Sequence, residues 1–277
     1  MQIVPAPEAL KRRADDIQAL KTPEHCSTFL TQSWTAKVQS PEVEYLVKTF
    51  PDGRMTRQHL FTLGRQAKAG NTETRRRLLV ATFMWGYGEL GGRSYTNAKR
   101  ALAATDLDQK LEKCALSIGD GDVRAAFSAL TGLSGYGSGY FTKYLYFLAR
   151  DGDWRSQSAR PLIFDSRVEG TLGFIKKALG VAWDSPLTGR RSAVARYLHY
   201  CDTAQSWATE LGLPPGVEGA EKIEQYLFDP QALWFDVHAE MRRLACAAVR
   251  DCAAGSAGPH TQAARVDMNI DLAESVE

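Results

Sequence analysis

The chain lacks several features that would place it quickly. It has no apolar run long enough to cross a bilayer. It has no cysteine pair at C-x-x-C spacing: Cys26, Cys114, Cys201, Cys246 and Cys252 are scattered, which argues against a zinc or iron–sulfur framework and for reduced, mostly buried thiols. Its histidines, His25, His59, His199, His238 and His260, form no ligand motif. They are read as surface or packing residues, and neither a metal nor a cofactor is expected. A net charge of only +2 excludes a strongly basic polyanion binder. Arg75-Arg76-Arg77, Lys176-Lys177, Gly189-Arg190-Arg191 and Arg242-Arg243 are local basic concentrations. Each reads first as a solvated helix face. The opening MQIVPAPEALKRRADD has no signal-peptide apolar core, so the expected location is cytoplasmic.

What the chain does have is helical periodicity. With 277 residues, 44% of them apolar, it can bury a substantial core. Glu8 to Leu20 is amphipathic and reads as an opening helix. Pro41 to Thr49 places a proline in its first turn and Pro51-Asp52-Gly53 at its stop. Further helices are expected at Thr56 to Ala69, Thr72 to Trp85, Thr96 to Ala104, Leu107 to Ile118 and Val123 to Leu130. Later ones are expected at Val168 to Leu179, Ser192 to Leu211, Glu218 to Phe228 and Ala232 to Cys252. No internal repeat and no alternating strand series stands out, which favours an all-α fold. Residues 1–252 read as one helical domain. Beyond Ala253 the chain turns small and polar, as mobile tails do.

The stretch Leu130 to Val168 carries the most chemistry. Gly132, Gly135, Gly137 and Gly139 cannot all sit inside a helix, so they mark a loop between Val123–Leu130 and the apolar segment Tyr140 to Leu148. Glycines just before a helix N-terminus let backbone N–H groups approach an anion. A tight interhelical connection would use the same residues. After Pro161 the run Leu162-Ile163-Phe164 leads to Asp165, at the start of the next amphipathic segment. Asp165 is thus either an ordinary N-cap or a partly buried carboxylate of tuned reactivity.

Taken together, the glycine-rich turn, helix, apolar run and aspartate resemble the helix-hairpin-helix DNA glycosylase superfamily, in its 8-oxoguanine glycosylase (OGG)-like branch. Leu133-Ser134-Gly135-Tyr136-Gly137 takes the place of the superfamily's Leu-Pro-Gly-Val-Gly hairpin, and Asp165 that of its catalytic aspartate. Tyr140-Phe141-Thr142-Lys143-Tyr144-Leu145-Tyr146-Phe147, followed by Pro161-Leu162-Ile163-Phe164-Asp165-Ser166, is similar to the Brig-type antiphage glycosylases, which act on glucosylated hydroxymethylcytosine in T-even phage DNA. The likeness is strongest from Leu130 to Val168. It implies two helical lobes around a DNA-binding cleft, and a monomer acting on double-stranded DNA that carries modified bases.

The resemblance also assigns roles. Gly135, Tyr136, Gly137, Ser138 and Gly139 would contact DNA through the hairpin. Extruding a base costs a few kcal/mol, offset in part by a side chain that fills the gap. The glycine- and aromatic-rich connection Met84 to Tyr95 offers Tyr87, Leu90 and Arg93 for this. Tyr140, Phe164, Trp234 and Asp236 would line the base pocket, with Ser138, Asn97 and Gln225 as polar groups for a hydroxylated substrate. Tyr136, Tyr144, Trp207, Tyr226 and Phe235 are further aromatics open to stacking, although aromatics at helical spacing are usually core. Asp165 would stabilise positive charge on the sugar and orient water. Bifunctional relatives carry a lysine two positions after the second hairpin glycine. Here Gly139 stands at that position, and Lys143 follows one helical turn later. Lys143 is a displaced nucleophile, a phosphate contact or a supporting charge; the last two are favoured, and with them an enzyme that leaves an abasic site. Two alternatives remain: a repair glycosylase/lyase for 8-oxoguanine, and a non-catalytic hairpin module that binds DNA.

Overall fold

The computed structural model describes residues 5–90, 92–150, 160–179 and 192–229, the side chains of Leu90 and of 177–179 aside. In chain order these form α1 (Glu8–Lys11), α2 (Ala14–Ala19), β1 (Cys26–Thr28), α3 (Thr31–Lys37), α4 (Pro41–Thr49), β2 (Arg54–Thr56), α5 (Arg57–Ala69) and α6 (Thr72–Tyr87). There follow α7 (Gly92–Leu102), α8 (Leu107–Gly119), α9 (Val123–Leu130), α10 (Ser138–Ala149), α11 (Ser166–Leu179), α12 (Ala193–Glu210) and α13 (Val217–Phe228). Short 3-10 turns fill Thr22–Glu24 and Gly88–Leu90. No helix among the described residues is long and apolar enough to cross a membrane.

The helix starts follow from local chemistry. Ser40 accepts from the Val43 amide ahead of Pro41, and Asn71 accepts from Thr74 N at the start of α6. Thr56 and His59 exchange side-chain and backbone bonds as a capping box that opens α5. Asp122 caps α9 through the Ala125 amide.

Helix α10 forms the centre. Every residue from Phe141 to Ala149 is buried, and the helix packs on α5, α6, α8 and α9. The approach to α5 is backbone to backbone: a Cβ placed on Gly64 would lie 2.0 Å from the Phe147 carbonyl oxygen, so only glycine fits there. A continuous apolar core runs from Ala6 to Leu227. The two ends of the described chain meet, since Ala6 N donates to Glu210 (2.7 Å) and Lys222 Nζ donates to the Gln18 carbonyl (2.5 Å).

Three expectations are corrected. Glu8 to Leu20 is two short helices, turned at Arg12-Arg13, rather than one. A small antiparallel sheet pairs Cys26 with Thr56, Ser27 with Met55 and Thr28 with Arg54. Its strands are too short to show an alternating pattern. The basic triplet on α6 is turned to acidic partners: Arg76 Nε bonds Asp108 at 2.6 Å, Arg77 pairs with Glu73, and Arg75 lies 4.0 Å from Glu112. The expected helix Ala232 to Cys252, Trp234, Phe235 and Asp236 within it, the tail beyond Ala253, and the clusters at 189–191 and 242–243 lie outside the described residues.

Candidate active site

The run 161–164 is neither helix nor strand, so its buried backbone groups need other partners. Three of its four carbonyls find a hydroxyl. Tyr197 Oη donates to Leu162 O (2.9 Å), Tyr200 Oη to Ile163 O (3.1 Å), and Thr142 Oγ1 to Phe164 O (3.3 Å); the Phe164 amide donates back to Thr142 Oγ1 (3.1 Å). Two residues of α12 and one of α10 therefore fix the segment that delivers Asp165.

The two roles open to Asp165 are divided between its two oxygens. Oδ1 accepts from the amides of Arg167 (3.1 Å) and Val168 (3.2 Å), capping α11. Oδ2 accepts from Lys143 Nζ at 2.6 Å. Burial works to raise the pKa of this carboxyl. The Lys143 cation, its hydrogen bond and the two amides outweigh burial and hold Asp165 below the usual carboxylate range.

Lys143 is almost wholly buried and donates a second bond, to Gly139 O (3.0 Å) one turn back on α10. Its stem lies against α6, where a Cβ on Gly86 would come within 3.2 Å of Lys143 Cε. A Cβ on Gly139 would lie 3.4 Å from Asp165 Cβ. A side chain at position 139 would thus rest in contact with Asp165, and the amine reaches the carboxylate from the next turn instead.

These groups face a cavity of about 760 Å³. Its walls are His25 to Thr28 leading into and along β1, Arg54 of β2, Trp85 to Gly88 at the end of α6, and Ser138 to Tyr140 with Lys143 on α10. Phe164 to Arg167, Glu169 and Phe228 complete it. Tyr87 and Tyr140 stack on each other at the rim, 5.1 Å between centroids and 21° between planes.

The turn between α9 and α10 holds Gly132 and Gly135 at φ of 77° and 72°. Gly135 sits against the neighbouring α7: a Cβ there would come within 2.4 Å of Asn97 O. Helix α10 has no side-chain cap, and the amides of Gly137, Ser138 and Gly139 have no partner among the described residues. With the positive end of the helix dipole behind them, these N–H groups suit a phosphate.

Of the residues singled out in the sequence, Asp165, Lys143, Ser138, Gly139, Tyr140, Phe164 and Tyr87 meet at this one cavity. Tyr136 does not belong with them. Its ring is buried, its hydroxyl bonds Thr82 Oγ1 at 2.8 Å, and its amide donates to Leu133 O, so it anchors the turn to the core. Tyr144, Trp207 and Tyr226 are likewise core. Arg93 is exposed on the first turn of α7 and does not border the cavity; Leu90 ends the preceding 3-10 turn, and its side chain lies outside the described residues. Asn97 and Gln225 do not border it either. Sequence reasoning missed His25, Arg54, Trp85, Arg167 and Phe228. Arg167 follows Asp165 on α11, and the others are brought together by the small sheet and by the packing of Trp85 and Phe228 on His25, which no local pattern announces.

A protein-family model described as "Putative 8-oxoguanine DNA glycosylase OGG-like protein" matches residues 20–228. No curated protein and no solved structure matches the chain.

Proposed function

The chain belongs to this OGG-like family of DNA glycosylases, and from that premise we propose that it hydrolyses the N-glycosidic bond of a modified base swung out of duplex DNA, leaving an abasic site. The observation that carries the reading is Asp165, fixed at 2.6 Å from Lys143 on the wall of a large cavity beside a helix N-terminus with no side-chain cap. A phosphate held by the amides of Gly137 to Gly139 would bring the adjoining sugar to that wall. As the glycosidic bond breaks, positive charge builds on the sugar; the Asp165 carboxylate stabilises it and orients the attacking water. Lys143 acts as a positioning cation. Its ammonium already donates to Asp165 and Gly139 O, and an amine must lose its proton before it can attack carbon.

The base we propose is α-glucosyl-hydroxymethylcytosine in phage DNA, with antiviral defence as the role. A cavity of about 760 Å³ with hydroxyls from Ser27, Thr28, Ser138 and Ser166 supports a base enlarged by a polar substituent. The description of the family favours a second reading, release of 8-oxoguanine in repair. The test is base release from duplexes carrying either base or none, by the wild type and Asp165→Asn, scored as alkali-labile sites with and without borohydride. Release lost in the variant supports the glycosylase, and the substrate that reacts selects the reading. A borohydride adduct would overturn the hydrolytic assignment, and DNA binding without release of any base by the wild type would leave a binding module.

A further inference from the structure

One part of the cavity wall has no role in this chemistry and is nevertheless built with care. His25 lies between Trp85 and Phe228, edge-on to both at centroid distances of 5.3 and 5.5 Å, and all three border the cavity. Behind it lies Arg57, wholly shielded from solvent. Its backbone amide donates to His25 O (2.9 Å) and its Nε donates to His25 Nδ1 (3.2 Å). The remaining guanidinium nitrogens donate to both oxygens of Glu224, at 2.5 and 3.1 Å, and to Tyr146 Oη at 3.2 Å.

A guanidinium can only donate, so Nδ1 must accept. The imidazole is therefore neutral and its proton sits on Nε2. That N–H has no partner among the described residues. The histidine thus offers one donor of fixed tautomer to whatever fills the cavity, and no acceptor.

We propose that His25 is a specificity-determining residue whose Nε2–H donates to an acceptor oxygen, keto or hydroxyl, of the extruded base. This rests on the glycosylase reading above. A base that turns an amino group to this wall would set N–H against N–H and leave the histidine unpaired, which selects for an oxygen-bearing edge. Burial and the Arg57 and Arg167 cations push the ring down to about 4, so the donor keeps the same form through the neutral range.

The test measures single-turnover release from α-glucosyl-hydroxymethylcytosine and 8-oxoguanine duplexes. Binding to a duplex carrying a tetrahydrofuran abasic analogue, which has no base to read, is measured in parallel. His25→Phe keeps the packing and loses the donor; His25→Gln restores an N–H. On whichever base the wild type releases, His25→Phe is expected to lose about tenfold or more in rate, with abasic-analogue binding unchanged and His25→Gln recovering most of the loss. His25→Leu serves if the Phe variant does not fold. Equal release by the wild type and the donorless variant would overturn the assignment, as would parallel loss of abasic-analogue binding, the mark of a structural role. Failure of the wild type on every base would instead remove the glycosylase reading and this inference with it.

Discussion

Arg57 and Glu224 stand 167 residues apart in the chain and meet in a two-bond fork, with neither side chain reaching solvent. The pair ties the first turn of α5 to α13 directly behind the cavity wall. Fork geometry offsets much of the desolvation of two charges, and a lone survivor would have no such compensation.

Glu224→Leu alone should therefore cost about 3–5 kcal/mol, by leaving a buried guanidinium unpaired. Adding Arg57→Met should recover much of that loss. Urea unfolding midpoints of the two single variants and the double variant decide it. A double variant as unstable as the sum of the singles would mean that the fork contributes no coupling.

At the reactive centre, Asp165→Asn should slow base release by about a hundredfold or more, because the group that meets the developing charge becomes neutral. Lys143→Met should act differently. With its cation gone, the Asp165 pKa rises, so the carboxylate takes up its proton at higher pH. The acid limb of the pH–rate profile should then lie at higher pH in the variant than in the wild type. Profiles that superimpose would leave Lys143 with no hold on Asp165.

The hairpin glycines should separate cleanly. Gly135→Ala forces a side chain onto a left-handed residue and against Asn97 O, at an expected cost of about 1–3 kcal/mol, with loss of duplex binding. Gly137→Ala meets open space at an ordinary φ of −69° and should stay within about 0.5 kcal/mol of the wild type. Thermal unfolding and fluorescence anisotropy on the same duplex compare the two directly.

Stability should fall in mild acid through His25. Its pKa is 6.5 in the unfolded chain and about 4 in the fold, so folding excludes a proton that the unfolded chain binds. The contribution is whole above 6.5 and is lost as pH falls toward 4, up to about 3 kcal/mol. His25→Gln should lack this component. A difference in unfolding free energy between wild type and variant that stays constant from pH 7 to 4.5 would contradict it.

Legibility in the sequence followed the range of the interactions. Pro41–Thr49 and Val123–Leu130 were readable to the residue because a cap, a proline in the first turn and a stop act within a few positions. Asp165 was readable because an apolar run, an acid and an amphipathic segment occur in order, although its division between capping and pairing with Lys143 was not. The small sheet escaped because each strand has three residues. The burial of the Tyr136 ring was not readable, because a glycine-rich context shows that the chain turns, not which way a side chain points. His25 was invisible as a site residue because its meaning comes from Arg57, which in turn depends on Glu224.

The cavity walls are drawn from positions as far apart as 25 and 228. A nascent or refolding chain can form α5, α6 and α10 early, through contacts near in sequence, and still possess no site. The complete cavity exists only after loop closures that span most of the described chain, and closing such loops is what slows folding. Recovery of base release should accordingly trail recovery of helix, and among the described residues α13 is the last piece of the wall to leave the ribosome.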